Sequence, residues 1–276
     1  MFKITGIIDN YVSHKQCFGE HGLSFYIETP DKTILFDTGQ TENILHNIEK
    51  LNIALDNIEF VVLSHGHYDH TGGLKAILRK KSPLKVIAHP DIFVERYHID
   101  PEKKDSVNIS NPFSMQDLEN AGAEFILTDK PYCFNDKTFT SGYIKRVSPY
   151  TSHKNMYLSS QGKMSPDSVN DDLVLIIIHD QSLNIICGCS HSGILNIVNH
   201  AIEITGISSI NYIIGGLHFM NTDKNELNDI LYDLNSFNIS NIAISHCTGI
   251  NKLQIIKENI ASNVSYFGTG DTILIQ

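Results

Sequence analysis

Three histidines and an aspartate stand within six residues in His65-Gly66-His67-Tyr68-Asp69-His70. They follow the apolar run Phe60-Val61-Val62-Leu63, which reads as a buried strand. They precede Thr71-Gly72-Gly73-Leu74-Lys75-Ala76-Ile77-Leu78, which reads as the start of a helix. Side chains of an extended segment alternate faces, so His65 and His67 can point the same way. Asp69 and His70 then fall in the turn and can face a second, nearby point. Imidazole and carboxylate are donors that borderline divalent metals accept, and two adjacent ions would polarise one bridging water. The spacing predicts His65 and His67 on one ion, and Asp69 and His70 on the other. Asp69 is also a candidate catalytic group. Gly66, Gly72 and Gly73 leave room for a tight backbone and for close approach of a ligand.

Further segments set a histidine or carboxylate beside strand-like runs, where ligand sites gather. Cys187-Gly188-Cys189-Ser190-His191 places His191 just ahead of a helical pattern, and Ile244-Ser245-His246 places His246 at a strand end. Both are expected to ligate metal, because a metal pair needs donors beyond the first cluster. His218, after Gly215-Gly216-Leu217, is open to three readings: a ligand, a catalytic proton donor or a pocket wall. We place it with Glu20 and His21 around the substrate, His218 as the proton donor. Asp37 is expected to orient a ligating histidine or cap a loop. His14, His46, His89, His98, His153, His179 and His200 read as polar loop or helix-face residues.

The elements that must position these groups form two series. Strand-like runs occur at Lys3–Ile8, Leu23–Glu28, Thr33–Phe36, Phe60–Leu63 and Leu84–Ala88. A second set lies at Leu173–His179, Asn184–Cys187, Tyr212–Ile214, Asn241–Ser245 and Thr272–Ile275. Helical patterns lie at Glu42–Leu51, Leu74–Lys80, Ile194–Ile204, Lys224–Phe237 and Leu253–Ala261. Hairpins come first and strand–helix alternation follows, twice over, which predicts two similar α/β halves packed sheet to sheet. The whole chain, 1–276, reads as one domain. Its loop-rich excursion at about 90–170, punctuated by prolines, reads as short strands and loops that can close over the site.

Bulk properties narrow the function classes. A hydrophobic content of 41% suits a globular protein with a full core. No apolar run reaches membrane-spanning length, and the N-terminus reads as a strand and not as a signal peptide. The five cysteines show no disulfide-framework spacing. These features predict a cytoplasmic protein without a membrane partner. A net charge of −10 argues against a nucleic-acid partner. The expected partner is a small-molecule substrate, with phosphorylated molecules admissible in a metal pocket; the oligomeric state is not read from the sequence.

His-x-His-x-Asp-His behind a strand resembles the signature of the metallo-β-lactamase superfamily. The resemblance implies an α/β fold, a four-layer αβ/βα sandwich of two mixed sheets, with one or two divalent metal ions at the sheet edges. Zn²⁺ is the first expectation, with Mn²⁺ or Fe²⁺ as alternatives. The ordered segments Glu20-His21-Gly22-Leu23-Ser24, Ile34-Leu35-Phe36-Asp37-Thr38-Gly39, Leu63 through Gly73, Gly188-Cys189-Ser190-His191, Gly215-Gly216-Leu217-His218 and His246-Cys247-Thr248-Gly249 resemble one group more closely. That group is the 7,8-dihydropterin-6-yl-methyl-4-(β-D-ribofuranosyl)aminobenzene-5′-phosphate synthases. It implies joining a dihydropterin pyrophosphate to ribofuranosylaminobenzene phosphate with release of pyrophosphate. The expectation is an enzyme, a metal-dependent hydrolase or pyrophosphate-releasing transferase, acting on a phosphorylated pterin-like or nucleotide-like molecule. The alternatives are a general metallohydrolase for thioesters, lactones or phosphodiesters, and a non-enzymatic metal-dependent sensor.

Two departures stand out against the superfamily pattern. Cys189 holds the place where many superfamily hydrolases carry a bridging aspartate, so either Cys189 ligates as thiolate or His191 alone reaches the metal; His191 is favoured. The Gly-His-Thr-Pro-Gly motif is absent before Leu173, where Asp171 and Asp172 stand. One of these can be a ligand, but an acidic pair leading a hairpin is expected to be solvated.

Overall fold

Two seven-stranded mixed sheets and one four-stranded antiparallel sheet hold the strands of the computed structural model, which describes residues 1–103, 105–152, 154–160 and 162–276. His153, read from sequence as a loop residue, lies outside the described residues. The chain divides into two compact units.

The first unit comprises Met1–Asp129, His153–Asp171 and Gly268–Gln276. Its main sheet runs in the order Thr272–Ile275, Phe2–Ile8, Ser24–Glu28, Thr33–Phe36, Phe60–Val62, Leu84–Ala88, Ala123–Leu127. The first three pairings are antiparallel and the last three parallel. The switch has a local cause. Thr29-Pro30-Asp31-Lys32 closes a tight turn in which the Thr29 N–H donates to the Lys32 carbonyl, so the strands on either side form a hairpin. Later strands are separated by helices at Asn43–Lys50 and Leu74–Lys80, and a helical crossover returns the chain parallel. Ile44, Ile48, Leu74, Ile77 and Leu78 face Leu35, Val61 and Leu63 in one apolar core.

The second unit, Lys130–Ser152 and Asp172–Phe267, repeats this plan. Its sheet runs Asn263–Tyr266, Asn238–Ile244, Ser209–Gly215, Ser182–Cys187, Leu175–His179, Thr138–Thr140, Cys133–Asn135. Three antiparallel pairings again give way to three parallel ones. The crossover helices are Ile194–Thr205, Lys224–Leu234 and Leu253–Asn259. Sequence signals mark their ends. Asp223 accepts the N–H groups of Asn225 and Glu226, and Gly206 closes the preceding helix at φ +69°. Leu195, Val198, Leu227, Leu231 and Ile256 cover Ile185, Ile213 and Ile242.

Three features depart from the sequence expectations. Thr272–Ile275, grouped with the second set, pairs with Phe2–Ile8 in the first sheet, and Asn263–Tyr266 is the second sheet's edge. The excursion holds the short strands expected of it but also a helix, Met115–Asn120, where loop was expected. Glu95–Ile99, Ser106–Asn108, Met156–Ser160 and Lys163–Pro166 build the four-stranded sheet, and its other strands join the main sheets. The third is Asp69 and His70, which lie not in a turn but in a short helix, Tyr68–Thr71, that starts ahead of the expected one. Thr71 Oγ1 donates to the His67 carbonyl, and the Tyr68 N–H is held by the Ile109 carbonyl.

Candidate metal centre

In both units the candidate residues sit at the carboxyl ends of strands in the parallel part of the sheet. Asp37 follows Thr33–Phe36, and His65 to His70 follow Phe60–Val62. Cys189 and His191 follow Ser182–Cys187, His218 follows Ser209–Gly215, and His246 follows Asn238–Ile244. Asp37, Ser190, His218 and His246 all adopt left-handed backbone, at φ 57°, 55°, 56° and 47°. Non-glycine residues take this region at a cost, and clustering of such strain at strand-end loops is a mark of function.

In the first unit, Asp37 is the hub. It is fully buried; its Oδ1 accepts the Ser64 N–H and its Oδ2 accepts the Ser64 hydroxyl, each at 2.7 Å. The same Oδ2 accepts His70 Nδ1–H at 2.7 Å. Because the Ser64 hydroxyl proton goes to Asp37, Ser64 Oγ is the acceptor for His65 Nδ1–H at 2.8 Å. His65 and His70 are thereby fixed with the proton on Nδ1 and the lone pair on Nε2. His65 Nε2 lies 3.0 Å from His67 Nδ1, and His70 Nε2 lies 3.6 Å from Asp69 Oδ2. Asp37 thus does for two histidines what was expected for one.

The glycines beside this cluster serve the backbone. A Cβ on Gly72 would stand 2.1 Å from the Gln40 carbonyl oxygen, and one on Gly73 would stand 2.1 Å from that of Thr38. The space expected for a ligand is filled by the loop after Asp37. Glu20 belongs to the same framework. One carboxylate oxygen accepts the Gln40 and Thr41 N–H groups, and the other accepts the Thr41 hydroxyl and Asn43 amide. His21, placed with Glu20 at the substrate, is exposed, and its Nε2 lies 3.2 Å from Asp69 Oδ2.

In the second unit, His191 Nδ1 donates to the Ser152 carbonyl, which again leaves the lone pair on Nε2. The His218 ring, half-buried, lies 4.7 Å from the His191 ring. The Cys189 thiol lies within 4.8 Å of a ring nitrogen of His191 and of one of His246, and all three residues are buried. The sequence set Cys189 against His191 as alternatives; the thiol lies beside both His191 and His246. Cys187 is different in kind, since burial pushes its thiol up to about 12 and it stays protonated.

Asp171 and Asp172, expected in solvent, are 0% and 1% exposed. Burial is the main cause that raises both to about 6, against the pull of Arg96 on Asp171 and of Ser192 on Asp172. A two-letter acidic run carries no signal of burial; only its contacts reveal it. Arg96, which accompanies Asp171, was likewise not singled out.

The donors fit a divalent cation. Buried imidazoles with Nδ1 committed elsewhere, a carboxylate and a thiol are the ligand types that Zn²⁺ and its neighbours accept.

The chain folds as an α/β protein of the metallo-β-lactamase type, and comparison with known proteins agrees. The metallo-beta-lactamase superfamily model matches residues 18–151. A solved metal-dependent hydrolase of the β-lactamase superfamily superposes with a TM-score of 0.85 at 23% identity, covering 100% of both chains. The 7,8-dihydropterin-6-methyl-4-(β-D-ribofuranosyl)-aminobenzene-5′-phosphate synthase of Methanocaldococcus jannaschii is 31% identical over 282 residues, 98% of this chain and 96% of its own. An uncharacterized protein of the same organism is 35% identical over 260 residues, 92% of each chain. This chain belongs to the metallo-β-lactamase superfamily, within the group that holds the synthase-named relative. No helix among the described residues is long and apolar enough to cross a membrane.

Proposed function

We propose that His65, His67, Asp69 and His70 of the first unit, and His191 and His246 of the second with Cys189 beside them, are ligands of divalent ions, Zn²⁺ first among them. The substrate we propose is a phosphorylated pterin-like or nucleotide-like small molecule, and the reaction is the pyrophosphate-releasing transfer of the synthase-named group. The observation that carries the metal reading is the hydrogen-bond pattern around the histidines; the substrate and reaction rest on the likeness to the synthase-named relative. Asp37, Ser64 and the Ser152 carbonyl take the Nδ1 protons of His70, His65 and His191, so three buried imidazoles present Nε2 lone pairs. A bound ion would supply Lewis acidity toward phosphate oxygens and a pyrophosphate leaving group. The protein's own part is orientation and proton handling. Asp37, directly and through Ser64, fixes the Nδ1–H tautomer and the aim of two imidazoles, and His218 gives a proton to the departing group, a role worth about 10²–10⁴-fold in rate. Asp69 Oδ2 lies 3.6 Å from His70 Nε2 and 3.2 Å from the exposed His21 Nε2, and this supports its part in the ligand set.

The test has two stages. Elemental analysis of protein purified without added metal should find about one or two equivalents of a divalent ion, and His67→Ala and His246→Ala should each lower that content. Incubation with dihydropterin pyrophosphate and ribofuranosylaminobenzene phosphate should then release pyrophosphate. His218→Ala should keep the metal and lose at least about tenfold in turnover. Hydrolysis of thioesters, lactones or phosphodiesters without pyrophosphate release would replace transfer by hydrolysis. Stoichiometric metal with no turnover on any of these would replace the enzyme by a metal-dependent sensor.

A further inference from the structure

Asp171 and Asp172 are buried acids that the metal reading leaves unused, and each is bonded to a backbone N–H beside a proposed ligand in its own unit. Asp171 Oδ2 accepts the Gly66 N–H at 2.8 Å, and Gly66 is the residue between His65 and His67. The other oxygen accepts Arg96 Nη2–H at 2.8 Å. Arg96 is itself buried, and is also held by Asp167, Nε to Oδ2 at 2.8 Å. The fit around Gly66 is close, since a Cβ there would meet the Ile92 carbonyl oxygen at 2.4 Å and the Arg96 guanidinium at 2.6 Å. In the second unit, Asp172 Oδ2 accepts the Ser192 N–H at 2.7 Å, and Ser192 directly follows His191.

We propose that Asp171 and Asp172 are positioning residues for the metal-binding loops. Asp171, braced by Arg96, fixes the peptide that carries His65 and His67, and Asp172 fixes the loop that carries His191. A carboxylate accepting a buried backbone N–H makes a charge-assisted bond, and losing it strands a donor that has no water to turn to. The loop then moves to satisfy that donor, and the imidazole on the adjacent residue moves with it. A role confined to folding would lower stability without altering how the histidines meet a metal. This proposal rests on the metal-ligand reading above.

The experiment is a titration of metal-stripped protein with Co²⁺, read by visible absorption beside thermal unfolding. The variants are Asp171→Ala, Asp172→Ala, Asp171→Asn and Asp172→Asn, with Asp167→Asn as control. The alanine variants should bind Co²⁺ about 10- to 100-fold more weakly, with altered visible bands, the size of loss typical when a group supporting a ligand is removed. Asp172→Asn, whose side-chain carbonyl still accepts the Ser192 N–H, should stay within about fivefold of the parent, while Asp171→Asn has one oxygen for two donors, Gly66 and Arg96, and should fall between the parent and Asp171→Ala. Asp167→Asn weakens the hold on Arg96 without touching the Gly66 N–H, and should lose clearly less than Asp171→Ala, under about fivefold. Parent-like affinity and spectra in both alanine variants would overturn the proposal, as would a loss in Asp167→Asn equal to that in Asp171→Ala. If an alanine variant fails to fold, the leucine variant at that position, branched at Cγ like aspartate but without an acceptor, decides: a loss of about tenfold or more supports the proposal and parent-like binding overturns it. A parent protein that binds no Co²⁺ overturns the metal reading and this inference together. A parent that binds while the alanine variants bind equally overturns this inference alone.

Discussion

Asp37 and His70 meet through a 2.7 Å hydrogen bond with both side chains wholly removed from solvent. The same carboxylate holds Ser64, and through its hydroxyl His65, so one aspartate at the end of a strand sets the orientation of two imidazoles. Its own backbone sits at φ 57°, a conformation that would not be kept without such return.

Replacing that hub tests its reach. Asp37→Ala leaves buried donors on Ser64 and His70 without their acceptor, and should cost about 2–5 kcal/mol of stability. Metal affinity should fall about 10- to 100-fold, since two histidines lose their orientation. Urea unfolding and metal content measure the two effects; a variant with the parent's metal content would refute the orienting role.

A pH experiment isolates Asp171. Burial, opposed by Arg96 and the Gly66 N–H, raises its carboxyl to about 6 from an ordinary 3.8. The folded chain therefore keeps a proton that the unfolded chain releases between those values, and stability contributed by this group falls as pH rises through that window. The loss saturates above pH 6 at no more than about 3 kcal/mol. Asp171→Asn carries no charge at any pH, so its stability relative to the parent should improve by up to that amount between pH 4 and about 7. Urea midpoints of both proteins at the two pH values decide; a constant difference would show that Asp171 does not titrate there.

Thiol chemistry should divide the cysteines. Burial pushes Cys187 up to about 12, while Cys133 lies exposed. The thiolate is the reactive form. Iodoacetamide on native protein should modify Cys133 and leave Cys187 intact until denaturant is added, as read by peptide mass spectrometry. Comparable labelling of both in the native state would contradict the burial.

Gly216 tests how tightly the strand ends of the second unit close. An added Cβ would stand 2.5 Å from both Cys247 Sγ and the Gly188 carbonyl oxygen, and that carbonyl also accepts the Gly216 N–H. Gly216→Ala should destabilise the protein by about 1–3 kcal/mol through overpacking. Thermal unfolding measures it, and an unchanged midpoint would mean the loops have slack.

The sequence alone determined what is local. His65 to His70 fall in one six-residue stretch, so type and spacing suffice to read them as donors. Strands and helices such as Thr33–Phe36, Leu74–Lys80 and Ile194–Thr205 were legible because apolar periodicity and turn residues act over a few neighbours. Tertiary structure decided what depends on distant partners. Thr272–Ile275 has the pattern of any edge strand, and only its pairing with Phe2–Ile8 assigns it to the first sheet. Gly72 and Gly73 announce close approach, but not that the Thr38–Gln40 backbone is what approaches. Asp171 and Asp172 read as solvated because charge favours water, and they are buried because Gly66, Arg96 and Ser192, far away in the chain, supply donors in its place. A carboxylate's fate is set by the groups that surround it, and those are known only when the chain has folded.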